Sequence, residues 1–308
     1  MLTQVHQFLR YLEDEQDRSA NTTAAYRNDL TQFTRFVHEH CAEARRTGIF
    51  WPGVEAETVQ GYLRHLKESE YAPATVARKV AAIRSFFHWM EERGALHNNP
   101  AAGLESPKVR KLAPHPMRPQ EIERLLAGPA RGQSAQALRD RALLEMLYGS
   151  GMRVSEVVSL NLDDVPHETA LEETDPAAAR RKRRLAGLHS SASEALRDYL
   201  HAGRSQLQVQ PDEQALFLNH RGQRLTRQGL WLVIKRYVQQ AGIKSLVTPQ
   251  TLRQSFAAHQ INAGVEVQQV QEMLGHANLQ STQVYRRAAD EIAEELSGAR
   301  RILDDLQP

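Results

Sequence analysis

Apolar positions recur at spacings of three and four along most of the chain, a pattern that predicts a mainly helical protein. Leu9 and Leu12 belong to a first amphipathic helix. Ser19-Ala20-Asn21-Thr22 then supplies a cap, after which Tyr26, Leu30, Phe33 and Val37 form a second stripe. A third helix fits Val59 to Leu66. Pro73 and Thr75 restart the chain into a fourth, with Val76, Val80, Ile83, Phe87 and Met90 on one side, and Gly94 and Asn99-Pro100 stop it. Residues 1–105 therefore read as a four-helix module.

The pattern breaks at Ser106. The stretch SPKVRKLAPHP, 106–116, carries three prolines and three basic residues among few apolar ones, the composition of an extended linker. Periodicity resumes in a second domain, 117–308. Leu125 and Leu126 mark one helix there, and Leu138, Ala142, Leu143 and Met146 the next, which ends at Gly149-Ser150-Gly151. ALFLNHRGQRL predicts a short strand and a turn, followed by a helix with Leu230, Leu232, Ile234 and Tyr237 in the core. Thr248 as N-cap and Pro249 as first helical residue open another helix, in which Gln250 and Arg253 lie one turn apart. Val267, Val270 and Leu274 form a short stripe closed by Gly275. The last stripe, Ile292, Leu296, Ala299, Leu303 and Leu306, needs a surface to cover it.

Composition narrows the class. A content of 41% hydrophobic residues over 308 positions suffices for real cores, and no apolar run is long enough to span a bilayer, so a cytoplasmic protein without membrane insertion is expected. The single cysteine, Cys41, excludes a disulfide framework and a multi-cysteine zinc site and suits a half-buried core position. Net charge is only +2, so bulk charge does not announce a nucleic-acid partner. Its distribution is more telling. Arg180, Arg181, Lys182, Arg183 and Arg184 are consecutive; Lys108, Arg110 and Lys111 sit in the linker; Arg78, Lys79 and Arg84 share the fourth helix. These are the candidate phosphate contacts, with solvated surface as the alternative.

The candidate chemistry lies in two blocks. In GSGMRVSEVVSLNLDDV, Arg153 follows a glycine-framed turn that aims its guanidinium with little freedom. In TPQTLRQSFAAHQINAGVEVQQVQEMLGHANLQSTQVY, a helix start with Arg253, a histidine released at a helix end (His276) and, nine residues on, Tyr285 together suit a phosphate and a tyrosine nucleophile exposed to it. The spacing of these blocks closely resembles the tyrosine recombinases, the integrase family that includes the Xer-type resolvases. The phrases SANTTAAYRNDLTQFTRFV and ATVARKVAAIRSFFHWMEERGALHNNPA resemble the family's core-binding domain.

The resemblance implies a mainly α fold with a small β-sheet. Two domains would clamp double-stranded DNA, the linker crossing it as a strap. Arg153, Arg253 and His276 would hold the scissile phosphate, and Tyr285 would form a 3′-phosphotyrosyl bond without metal or cofactor. Site-specific recombination in a homo- or hetero-tetramer on two DNA sites follows, with the final helix docking on a neighbouring protomer. It covers chromosome-dimer resolution and the integration of phages or mobile elements alike.

Two positions depart from the family. Gln250 stands where histidine or lysine is common, and an amide cannot carry a proton at neutral pH. Where a β-hairpin with the catalytic lysine is expected, the chain has PHETALEETDPAAARRKRRLAGL; counting back from Leu188 places Ala179 in the lysine position, with Lys182 as a weak substitute and the hairpin distorted. An attenuated recombinase, a recombinase-derived DNA-binding protein with decayed catalysis and a topoisomerase-like nicking-closing enzyme all fit this pattern.

Overall fold

A computed structural model describes residues 2–16, 18–40, 51–109, 113–165, 176–276 and 278–304, and within these every side chain but those of 2, 176, 177, 180 and 294–304. Cys41, Arg110 and Lys111, the side chain of Arg180 and those of Leu296, Ala299, Leu303 and Leu306 lie outside it. The chain forms two compact units, Met1–Lys111 and Leu112–Pro308.

The first unit contains α1 (Leu2–Asp14), α2 (Ala20–His40), α3 (Ala56–Glu68) and α4 (Pro73–Glu92). Ser19 starts α2 by accepting the Thr22 N–H, and Pro73 occupies the opening turn of α4, where its missing N–H costs nothing. The core is aromatic. Phe8, Phe33, Phe86 and Phe87 are all fully buried, and Trp51, on a one-turn 3₁₀ helix, meets Phe86 edge-on at 4.9 Å.

The second unit is built around α6 (Ala135–Ser150), packed by α5 (Pro119–Ala130), α9 (Ser190–Asp198) and α12 (Pro249–Asn262). Ala142, Leu143, Leu144, Met146 and Leu147 of α6 are all buried, together with Arg139, Asp140 and Glu145, so the helix is covered on most sides and belongs at the centre. The other helices are α7 (Val154–Ser159), α8 (Pro176–Ala186), α10 (Arg204–Leu207), α11 (Arg227–Gln240), α13 (Val267–Leu274) and α14 (Gln280–Asp304); a π-helical turn, Tyr199–Gly203, joins α9 to α10.

The expected β component is reduced, among the described residues, to two isolated antiparallel bridges, Asn161 with Ala215 and Leu218 with Arg224. Arginines hold the irregular backbone instead. Arg204 donates to the carbonyls of Glu213 at 2.6 Å and Ala215 at 2.7 Å, and Arg224 to those of Val158 at 3.0 Å and Leu160 at 2.9 Å.

Three expectations need correction. Residues 176–186 are helical and not part of a hairpin, because three alanines and a run of Arg and Lys favour a helix and Pro176 suits its first turn. Leu232 is 51% exposed, and its neighbour Val233 takes the buried position. The first position of the last stripe packs within its own chain: Ile292 and Ala289 of α14 cover Ala258 of α12.

Candidate active site

The site is assembled where two helices end. Gly151 closes α6 in the left-handed conformation (φ +57°), and a Cβ there would sit 2.6 Å from the ring of Phe256, so both backbone and space demand glycine. Gly275 closes α13 in the same conformation (φ +62°). The carbonyls at such ends lack helical partners and carry partial negative charge. Arginines use them.

Arg253, on α12 and only 3% exposed, donates to the Gly151 carbonyl and, at 2.7 Å, to the Leu274 carbonyl. Arg153 caps α7 and reaches the next carbonyl of the same helix end, Gly275, at 3.3 Å. Glu156 fixes Arg153 from the other side, accepting its backbone N–H at 2.7 Å and lying 3.5 Å from its guanidinium. Arg184 joins the group from α8, donating to Glu156 at 3.0 Å. His276 emerges from the Gly275 turn; its Nδ1 lies 2.9 Å from the hydroxyl of Thr282, and its ring stacks on Tyr285 with centroids 6.3 Å apart.

Tyr285 was expected to be exposed. It is only 4% exposed, on the first turns of α14 among Phe256, Val270 and Leu274, because the helix turns its apolar face inward.

The electrostatics follow from crowding cations. Burial, then the neighbouring Arg153, lower the pKa of Arg253 to about 10, which leaves it charged at neutral pH. Burial and the charges of Arg253, Arg153 and Arg184 depress His276 to about 4, so its imidazole is neutral. Burial raises Tyr285 above 10, although Arg253 and Arg153 pull the other way. For Glu156 burial favours the neutral acid, but the Arg153 N–H and the guanidiniums of Arg184 and Arg153 outweigh it and hold the group below its usual value. Among the described residues the ionised carboxylate of Glu156 thus faces the guanidiniums of Arg153, Arg184 and Arg253, an arrangement that can take a further anion.

Residues 115–291 match the phage integrase family, and residues 5–94 match the phage integrase N-terminal SAM-like domain. The chain is 42% identical over 293 residues to the tyrosine recombinase XerC of Herpetosiphon aurantiacus, covering 95% of this chain and 93% of that one. It is 34% identical over 282 residues to XerD of Oceanobacillus iheyensis, at 91% and 92% coverage. The chain belongs to the phage integrase family, among its Xer-like tyrosine recombinases. Site-specific recombination comes with that membership. The fold is shared with the XerH site-specific recombinase in its post-cleavage complex with a palindromic difH substrate, at a TM-score of 0.65 and 18% identity over 96% of this chain and 94% of that one.

Other candidate residues of this recombinase are placed unevenly. Gln250 is exposed on the first turn of α12, one turn from Arg253. Lys182 lies two residues from Arg184, about 200° round α8, and so does not share the face that Arg184 turns towards Glu156. Arg181 pairs with Asp164 at 2.9 Å, while Arg183 is exposed. Arg184 is no solvated member of a basic run, its side chain being 8% exposed.

In the first unit Arg84 is exposed, as is Lys108 in the linker. Lys79 is not. It is buried, 3.0 Å from Asp29 and 2.6 Å from Gln32, because Asp29 is itself buried and needs a counter-ion. Arg78 bonds to the same carboxylate from a more open position.

Glu156 and Thr282 were missed as site residues. Both had a local signal: Glu156 stands three residues after the cap residue Arg153, the spacing of a capping box, and Thr282 stands three before Tyr285, on the same helix face.

Proposed function

We propose that this recombinase cuts and rejoins double-stranded DNA through a transient bond to Tyr285. In this reading Tyr285 Oη attacks the scissile phosphorus, the P–O3′ linkage is kept, the P–O5′ bond breaks, and the departing 5′-oxygen takes up a proton. Arg153 and Arg253 donate to the nonbridging oxygens, where charge builds in the transition state, and His276 adds a further N–H. Attack by a second 5′-hydroxyl on the phosphotyrosine reverses these bond changes on a new partner, so strands exchange without an external energy source.

One observation carries the proposal: two guanidiniums are bonded to the carbonyls that end one helix, and the loop leading out of that end stacks His276 on Tyr285. Because Tyr285 is buried and has a raised pKa, its helix must shift and its proton must leave as attack proceeds. DNA binding supplies the phosphate that repays this displacement. The remainder of α14 would then be free to dock on a neighbouring protomer of a DNA-bound tetramer, with the 106–116 linker and Arg84 following the DNA backbone.

Proton delivery to the 5′-oxygen is where this chain is weakest. Counted back from Leu188, Ala179 falls where the family carries its lysine, Gln250 cannot transfer a proton, and Lys182 lies off the face that Arg184 presents. General-acid catalysis typically supplies roughly a hundred- to ten-thousand-fold, so attenuated but real cleavage is expected.

The test is a nicked suicide duplex carrying a site that the protein itself selects from random-sequence DNA. A covalent adduct should form with the parent and disappear in Tyr285→Phe, whose DNA affinity should be unchanged. No adduct on any selected site would support the DNA-binding reading.

A further inference from the structure

We infer that Thr282 is a positioning residue that sets the tautomer of His276, leaving Nε2 as the protonated nitrogen available to the phosphate. The inference rests on the role given to His276 above and extends it to a residue that touches no reacting atom.

Thr282 is fully buried on α14, and among the described residues its hydroxyl has one hydrogen-bond partner, His276 Nδ1 at 2.9 Å. A neutral imidazole has one donor and one acceptor nitrogen. If Nδ1 carried the proton, it would donate to the hydroxyl and leave the threonine's own proton buried without an acceptor. If Nδ1 accepts from the hydroxyl, both groups are satisfied. Leaving a buried donor unmade is the costlier choice, so the bond runs from Thr282 Oγ1–H to Nδ1 and the imidazole proton resides on Nε2. Burial and the arginine cluster keep the ring neutral, so tautomer choice and not protonation decides which nitrogen can donate.

The geometry also couples two parts of the site. Thr282 precedes Tyr285 by three residues on one helix, so the two side chains lie on neighbouring positions of one face. Any shift of α14 that releases the tyrosine therefore moves the hydroxyl that orients the histidine. His276 and the nucleophile are then set by one helix movement.

Thr282→Val keeps the shape and removes the hydroxyl; Thr282→Ser keeps the hydroxyl. The full-length protein, with ¹⁵N-labelled histidine, should show His276 as the Nε2–H tautomer in the parent and in Thr282→Ser, and as a mixture in Thr282→Val. Single-turnover cleavage of the selected nicked duplex should fall roughly three- to tenfold in Thr282→Val and recover in Thr282→Ser. In a His276→Ala background, Thr282→Val should cause no further loss. An unchanged tautomer in Thr282→Val, or a full additional loss in the His276→Ala background, would overturn the inference. A His276→Ala protein that cleaves as fast as the parent would remove the role assigned to His276 itself, and the tautomer measurement would then decide the Thr282 contact alone.

Discussion

Two buried cations, Lys79 in the first unit and Arg253 in the second, are held in opposite ways. In the first unit Lys79 lies against the carboxylate of Asp29, which Arg78 also engages, so the buried ammonium is paired with a carboxylate within the protein. In the second, Arg253 is equally hidden, and among the described residues its hydrogen bonds go to the carbonyls of Gly151 and Leu274. Carbonyls orient a guanidinium without cancelling its charge. A buried cation paired with a carboxylate serves the fold; Arg253, on helix-end carbonyls and with its pKa lowered by burial and by the crowding of Arg153, can take a further anion. The difference supports the proposed phosphate chemistry at the second site and gives Lys79, a candidate phosphate contact in the sequence, structural work in the first.

Substitution should separate the two. Arg253→Ala is expected to slow single-turnover cleavage roughly 10²- to 10³-fold while DNA affinity changes far less, as for loss of one transition-state donor. Equal losses in rate and affinity would make Arg253 an ordinary DNA contact and erase the contrast. Lys79→Met should instead lower the unfolding free energy by about 3 kcal/mol, at the lower end for a broken buried pair because Arg78 still faces Asp29. Cleavage at saturating DNA should hold. A rate loss in a protein of unchanged stability would show that Lys79 reaches DNA after all.

The smallest effect concerns pH. His276 is depressed from 6.5 to about 4 in the fold, so between these values the unfolded chain binds a proton that the folded chain refuses. Its contribution to stability is present above pH 6.5 and is lost as pH falls towards 4. His276→Gln should flatten the dependence of the urea midpoint over this window. Some slope will remain, because burial lowers His259 in the same direction. An unaltered slope would mean that the arginine cluster does not act on His276.

The stripes of the first four helices were legible because each has one apolar side, and Leu30, Phe33, Val80 and Phe87 are all buried as their spacing implies. The order of Arg153, Arg253, His276 and Tyr285 was legible too, since the turns and caps that place them are local. What sequence could not show was which cations are already answered. Lys79 and Asp29 are fifty residues apart, and Arg184 and Glu156 twenty-eight, so both pairings depend on tertiary packing. The helix over 176–186 was misjudged for another reason. The family resemblance calls for a hairpin there, whereas its alanines and arginines make a good helix. Tyr285 was expected in the open because its neighbours Gln280, Ser281 and Gln283 are polar, yet helical spacing turns Thr282 and Tyr285 inward together.

The central claim is that Arg253 is held charged, on carbonyls at helix ends, for the charge on the scissile phosphate. The most direct measurement uses the selected duplex with a methylphosphonate at the scissile position, which removes one negative nonbridging oxygen. The ratio of parent to Arg253→Ala cleavage rates should shrink from its large value on the phosphate to near unity on the methylphosphonate, since little charge is left for the arginine to stabilise. The same ratio on both substrates would contradict the account, because Arg253 would then be holding the fold together and not answering the phosphate.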